Sequence, residues 1–152
     1  MPSSYYERKL PHWQPEDAAV FVTWRLHGTL PRKPDLIGLP AGKAFAAMDR
    51  ALAGSDGPMW LGDGRVAECV AETLRFAQDE LKLYELLAWV IMPNHVHILV
   101  QPYADLARIT RAVKNYSARR ANEILRRVGQ PFWQNESYDH WGKECGGSGK
   151  DR

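Results

Sequence analysis

Residues 84–92 and 95–101 are two bulky apolar runs, and only Pro93 and Asn94 lie between them. Met92-Pro93-Asn94 is a turn signal: the proline presets one backbone angle and the asparagine tolerates tight conformations. Two strand-like runs joined this closely predict a β-hairpin. In the second run the side chains alternate. Val96, Ile98 and Val100 share one face and point to a core, whereas His95 and His97 share the other. That second face is otherwise polar or accessible at Gln101.

The remaining pattern surrounds this hairpin with helices. Residues 19–27 read as a strand, with Val20, Val22, Trp24 and Leu26 on one face and Phe21, Thr23, Arg25 and His27 on the other. Residues 28–42 are rich in proline and glycine and read as a loop. A short helix is expected over 43–53, a second loop over 54–64, and an amphipathic helix over 65–80. The buried side of that helix is Val66, Cys69, Val70, Thr73, Leu74 and Ala77. Asp105 is placed to cap a long helix that runs to Val128 and stops at Gly129. Its buried positions are read as Val113, Ala121, Ile124, Leu125 and Val128. Residues 131–138 are expected to be extended or irregular. Antiparallel strands flanked by helices predict an α+β sandwich, with residues 1–141 as one domain. The polar, glycine-rich stretch 142–152 is expected to be disordered.

Composition excludes several classes. Hydrophobic residues make up 45% of the 152 residues, enough for a core. No apolar run approaches the length of a membrane span. The charged start of the chain does not read as a secretory signal. Cys69 and Cys145 suggest neither a metal cluster nor a disulfide scaffold, so the expected compartment is cytoplasmic, near the nucleoid. Net charge is only +2, but seven basic residues fall between Arg108 and Arg127 against one acid, Glu123. A helix this basic can follow a phosphate backbone.

Two constellations carry chemistry. His95 and His97, adjacent on one strand face, form a chelating pair suited to a divalent metal; their spacing leaves the third ligand open. Tyr116 lies mid-helix among basic residues, away from an apolar stripe. A tyrosine hydroxyl can attack phosphorus and leave a phosphotyrosine linkage. Its ordinary pKa near 10 means that it needs help from a metal or from cations. Lys114, Arg119 and Arg120 are candidate phosphate contacts.

Four stretches together resemble the HUH single-tyrosine transposases, in particular the REP-associated tyrosine transposases. They are Tyr5-Tyr-Glu-Arg-Lys-Leu-Pro-His-Trp-Gln-Pro with the strand after it; Val90-Ile-Met-Pro-Asn-His-Val-His-Ile-Leu-Val; Lys114-Asn-Tyr-Ser-Ala-Arg-Arg-Ala-Asn; and Gly129-Gln-Pro-Phe-Trp-Gln-Asn-Glu-Ser-Tyr-Asp-His140. The resemblance implies a ferredoxin-like antiparallel sheet with helices packed mainly on one face. It implies that His95 and His97 hold Mg²⁺ or Mn²⁺, and that Tyr116 attacks a DNA phosphate to give a 5′-phosphotyrosine and a 3′-hydroxyl. The implied substrate is single-stranded DNA that forms a hairpin, handled by a monomer or a homodimer.

The resemblance also gives the N-terminus a role. Tyr5, Tyr6, Arg8, Lys9, His12 and Trp13 are expected to stack on bases and hold phosphates near the hairpin foot. In relatives a third metal ligand follows the nucleophile by one helical turn. Here that position is Arg120, which cannot ligate. Glu123 is the expected substitute, with Asn122, Glu136 and Asp139 as further options. Relatives continue past the Tyr-Asp-His stretch with another helix, so 142–152 is expected to be a truncated or divergent tail.

Overall fold

The computed structural model of the protein describes residues 18–29, 35 and 37–141. The expected DNA contacts Tyr5, Tyr6, Arg8, Lys9, His12 and Trp13 lie outside the described residues, as does the expected tail.

Strand β1 (Val20–Arg25) leads into helix α1 (Ala41–Ala53), a single 3-10 turn at Trp60–Gly62, and helix α2 (Gly64–Asp79). The hairpin follows as β2 (Tyr84–Met92) and β3 (His95–Pro102), then helix α3 (Leu106–Leu125) and β4 (Tyr138–Trp141). The sheet is antiparallel throughout, in the order β2-β3-β1-β4. That is the ferredoxin-like arrangement, in which the first and third strands pair at the centre.

The strand periodicity decides the two faces. Val20, Val22 and Trp24 of β1, with Leu26 just after it, join Val96, Ile98 and Val100 of β3 in one apolar cluster. Val66, Val70 and Leu74 of α2 and Ile109, Val113 and Ala121 of α3 close over it. All six expected core positions of α2 are buried, and Asp63 caps the helix by accepting from the Arg65 N–H. The opposite face carries the shorter α1. Its Ala44, Met48 and Leu52 pack on Tyr138 of β4. The helices are thus divided two to one, and α1 covers the histidine face, which the sequence reading left accessible.

Three local expectations are corrected. Helix α3 ends three residues early: Arg126 turns left-handed at φ 59°, and the N–H groups of Arg126 and Arg127 return to the Glu123 and Asn122 carbonyls. The chain folds back there because the Asn122 amide donates to the Gln130 carbonyl; Val128, expected in the core, is 74% exposed. Asp105 occupies the N-cap position but makes no side-chain capping bond. Tyr138, read from sequence as the end of an extended or irregular segment, instead begins the edge strand β4, which pairs with β1.

The core is expected to carry most of the stability. Trp24→Ala removes a fully buried ring packed edge-on against Trp133 and should cost about 3–5 kcal/mol in denaturant unfolding. Leu87→Ser, at a half-exposed position on β2, should change it by less than about 0.5 kcal/mol.

Candidate metal centre

Strand alternation puts His95 and His97 side by side on the α1 face, with ring centroids 4.8 Å apart. Both are buried, at 1% and 4% exposure. Each ring is oriented through Nδ1. Thr23, the register partner of His97 on β1, has its hydroxyl 2.7 Å from His97 Nδ1. Asn94 Oδ1 lies 2.7 Å from His95 Nδ1.

The Asn94 amide also decides a tautomer. Its Nδ2 donates to the Leu52 carbonyl of α1 at 2.8 Å, so Oδ1 is the atom turned to the ring. Two acceptors cannot share that contact, so His95 Nδ1 carries the proton and Nε2 of the neutral ring is a bare lone pair. Both Nε2 atoms point at one oxygen of Asp49, on α1, at 2.9 Å from His95 and 3.1 Å from His97.

The distances are those of ion pairs, but the charges are not. Burial pushes both imidazoles below the ordinary histidine value, against the opposing pull of Asp49. Burial of Asp49 works to raise its carboxyl, and the pull of the two rings in their protonated form outweighs that and holds it below the ordinary value. At neutral pH the cluster is therefore an ionised carboxylate facing two neutral rings. Between His95 Nε2 and Asp49 Oδ1 two lone pairs face each other with no proton to join them. A cation relieves that repulsion, and neutral imidazoles are the form that ligates.

The donor set fits a divalent ion. The three ligand atoms lie within 4.8 Å of one another, and Thr23 and Asn94 supply the outer hydrogen bonds that metal-binding histidines need. A carboxylate suits Mg²⁺ and Mn²⁺ alike, whereas two imidazoles shift the preference towards Mn²⁺ and later first-row ions.

Other expected site residues are not brought here. Glu123 is exposed on α3, which packs on the opposite face of the sheet. The carboxylate that the fold brings to the histidine pair is that of Asp49. Asn122 is on α3 too. Glu136 pairs with the Arg25 guanidinium at 3.0 Å, and Asp139 is in register with Val22, whose side chain faces the α2–α3 core.

Nor is Tyr116 brought to the histidines within the chain. It lies on the α2–α3 side, 38% exposed, with its ring against Phe76 of α2 at 5.5 Å. The sheet and its core stand between this hydroxyl and the histidines. Among the neighbouring basic residues, Lys114 donates to the carbonyls of Gln134, Asn135 and Glu136. Arg120 pairs with Glu72 at 2.7 Å, and Arg119 lies 6.0 Å from the Tyr116 ring centroid.

Sequence reasoning missed Asp49 because nothing in its spacing ties it to a histidine pair 46 positions away. One signal was present: Asp49 is the only acid in the α1 sequence.

Mn²⁺ titration followed by the electron paramagnetic resonance of the free ion should show one site. His97→Ala and Asp49→Asn should each weaken it at least about tenfold, and Glu123→Gln should leave it unchanged. Equal losses in all three would refute the assignment. The pH dependence follows from the lowered histidine values. The unfolded chain takes up protons first as the pH drops below about 6.5. Thermal stability of the metal-free protein should therefore fall from about pH 7 to about pH 5. Mn²⁺ affinity should fall over the same window, because protons compete for Nε2.

No curated protein matches the chain. A solved structure of a REP-associated tyrosine transposase bound to a REP hairpin is similar over 89% of this chain, with 14% identity and a TM-score of 0.44. The match spans 62% of that protein's chain, less than two thirds of its length. No helix among the described residues is long and apolar enough to cross a membrane. The family model for IS200-like transposases matches residues 61–142, or 82 of the 152 residues, across the histidine strand, α3 and β4: the chain belongs to the IS200-like transposase family.

Proposed function

We propose that this protein is a divalent-metal-dependent transposase of the REP-associated kind, which holds single-stranded hairpin DNA by a phosphate at the Asp49–His95–His97 centre for cutting and rejoining. The observation that carries the reading is the buried, pre-oriented set in which the Nε2 atoms of His95 and His97 converge on one oxygen of Asp49. The choice of hairpin DNA rests on the four sequence stretches that resemble REP-associated transposases.

Asp49, His95 and His97 would hold Mg²⁺ or Mn²⁺, which supplies polarisation of the scissile phosphate. The chain contributes the rest. Thr23 and Asn94 lock both rings, and the buried setting strengthens every electrostatic contact there. In the proposed reaction a tyrosine oxygen attacks phosphorus as the bond from phosphorus to the 3′-oxygen breaks. The phenolic proton ends on the 3′-oxygen, and attack by a 3′-hydroxyl reverses the step. No nucleotide cofactor enters that balance.

The attacking group has to reach the histidine face, and Tyr116 of the same chain does not. This favours, as a second reading, a protein that grips hairpin DNA without cutting it. A denaturing gel on labelled single-stranded hairpin DNA separates the two. The strand-transfer reading expects a slow-migrating covalent species that requires Mn²⁺, disappears in His97→Ala and persists in Tyr116→Phe. Loss of that species in Tyr116→Phe would instead make Tyr116 the nucleophile, delivered to the histidine face by a second copy of the chain or by a movement of α3. Salt-sensitive retention on a native gel with no covalent species would establish the binding reading.

A further inference from the structure

Beside the metal centre, on the same face of the sheet, lies a cavity of about 170 Å³ whose walls include Phe21, Phe45, Ala88, Val90, His97 and Leu99. We propose that this cavity receives one unpaired nucleobase, that of the nucleotide adjoining the phosphate held at Asp49, His95 and His97. The inference rests on the function proposed above and adds to it a base-binding subsite.

The cavity is built from the same parts as the metal centre. Phe45 and Asp49 are four residues apart on α1, so one helix face presents both the pocket wall and the ligand. The Phe45 ring lies against the His97 imidazole, with centroids 4.2 Å apart and planes tilted by 36°. Phe21 closes the same wall, 5.8 Å from Phe45. His97 belongs to both sites: its Nε2 edge faces Asp49 and its ring lines the cavity. A group in the cavity is therefore a near neighbour of a phosphate at the centre, as a base is of its own phosphate.

The chemistry of the walls selects the occupant. Five of those six side chains are apolar. The imidazole of the sixth is engaged by Thr23 at Nδ1 and faces Asp49 through Nε2. The cavity thus offers surface to a flat π system and no spare hydrogen bond to a polar group. Stacking on aromatic rings is how proteins hold unpaired bases with little regard to their identity. Access is also open. β2 is at the edge of the sheet, Val90 is 43% exposed, and a single strand can enter from that side.

The test uses the full chain with Mn²⁺ and single-stranded hairpin oligonucleotides that carry 2-aminopurine at one unpaired position at a time. Binding is read by anisotropy and stacking by fluorescence quenching. One position should be quenched on binding. An abasic site at that position, and Phe45→Leu on intact DNA, should each weaken binding about tenfold, the range of one base–aromatic stack. Phe45→Leu should cost nothing further on the abasic DNA, because the stack is already gone. Val90→Trp, which fills the mouth from an exposed position without touching the α2–α3 core, should reproduce the selective loss. Binding with no quenched position would overturn the subsite and leave the DNA reading standing, as would a Phe45→Leu loss of equal size on intact and abasic DNA. No anisotropy change with any oligonucleotide would overturn both.

Discussion

The pairing of β1 with β3 is the constraint on which the rest of this structure depends. Its register sets Thr23 against His97, Trp24 against Val96 and Arg25 against His95. Because side chains alternate with a period of two, this single register assigns every residue of both strands to a face. Trp24, Val96 and Ile98 go to the α2–α3 core, and Thr23 and His97 go to the candidate metal centre. A slip of one residue would bury the histidines in the apolar cluster and expel the valines from it. The stability of the core thereby protects the geometry of the site.

Burying polar groups under α1 carries a desolvation cost, which hydrogen bonds to several of these groups offset. Thr23 partners one ring and Asn94 the other, and the same asparagine reaches the carbonyl at the end of α1. Arg25, only 5% exposed, pairs with Glu136 and donates to the Thr29 carbonyl. That joins the end of β1 to the segment that leads into β4. A buried pair of this kind is weak evidence for stability in itself. Here its effect is positional, since it connects the central strand to both chain segments that flank it.

The molecule has two chemically different sides. One carries the buried ligand set and the aromatic cavity beneath α1. The other carries the exposed, basic surface of α3 and the Tyr116 ring. Several of the basic side chains on α3 have structural work: Lys114 gathers three carbonyls of residues 134–136 and Arg120 pairs with α2. Membership of the IS200-like transposase family therefore does not license the transfer of roles to residues by sequence order alone. In this chain the ligands and the basic helix are close in sequence and lie on opposite faces of one sheet.

The sequence by itself determined what depends on local periodicity. The faces of β1 and β3, the buried side of α2, the hairpin at Pro93-Asn94 and the adjacency of His95 and His97 follow from spacings of two and of three or four. These are set by backbone geometry and survive in any tertiary context. Only the tertiary structure decided the rest. Asp49 joins the histidine pair because α1 docks on the histidine face, a contact between residues 46 positions apart with no periodic signature. Glu123 and Tyr116 are excluded from that face because α3 spends its apolar stripe on the other one. The end of α3 and strand β4 were likewise set by partners distant in sequence, Gln130 for Asn122 and β1 for residues 138–141. Local patterns tell a residue which way to point along its own element; which element it then meets is fixed by packing.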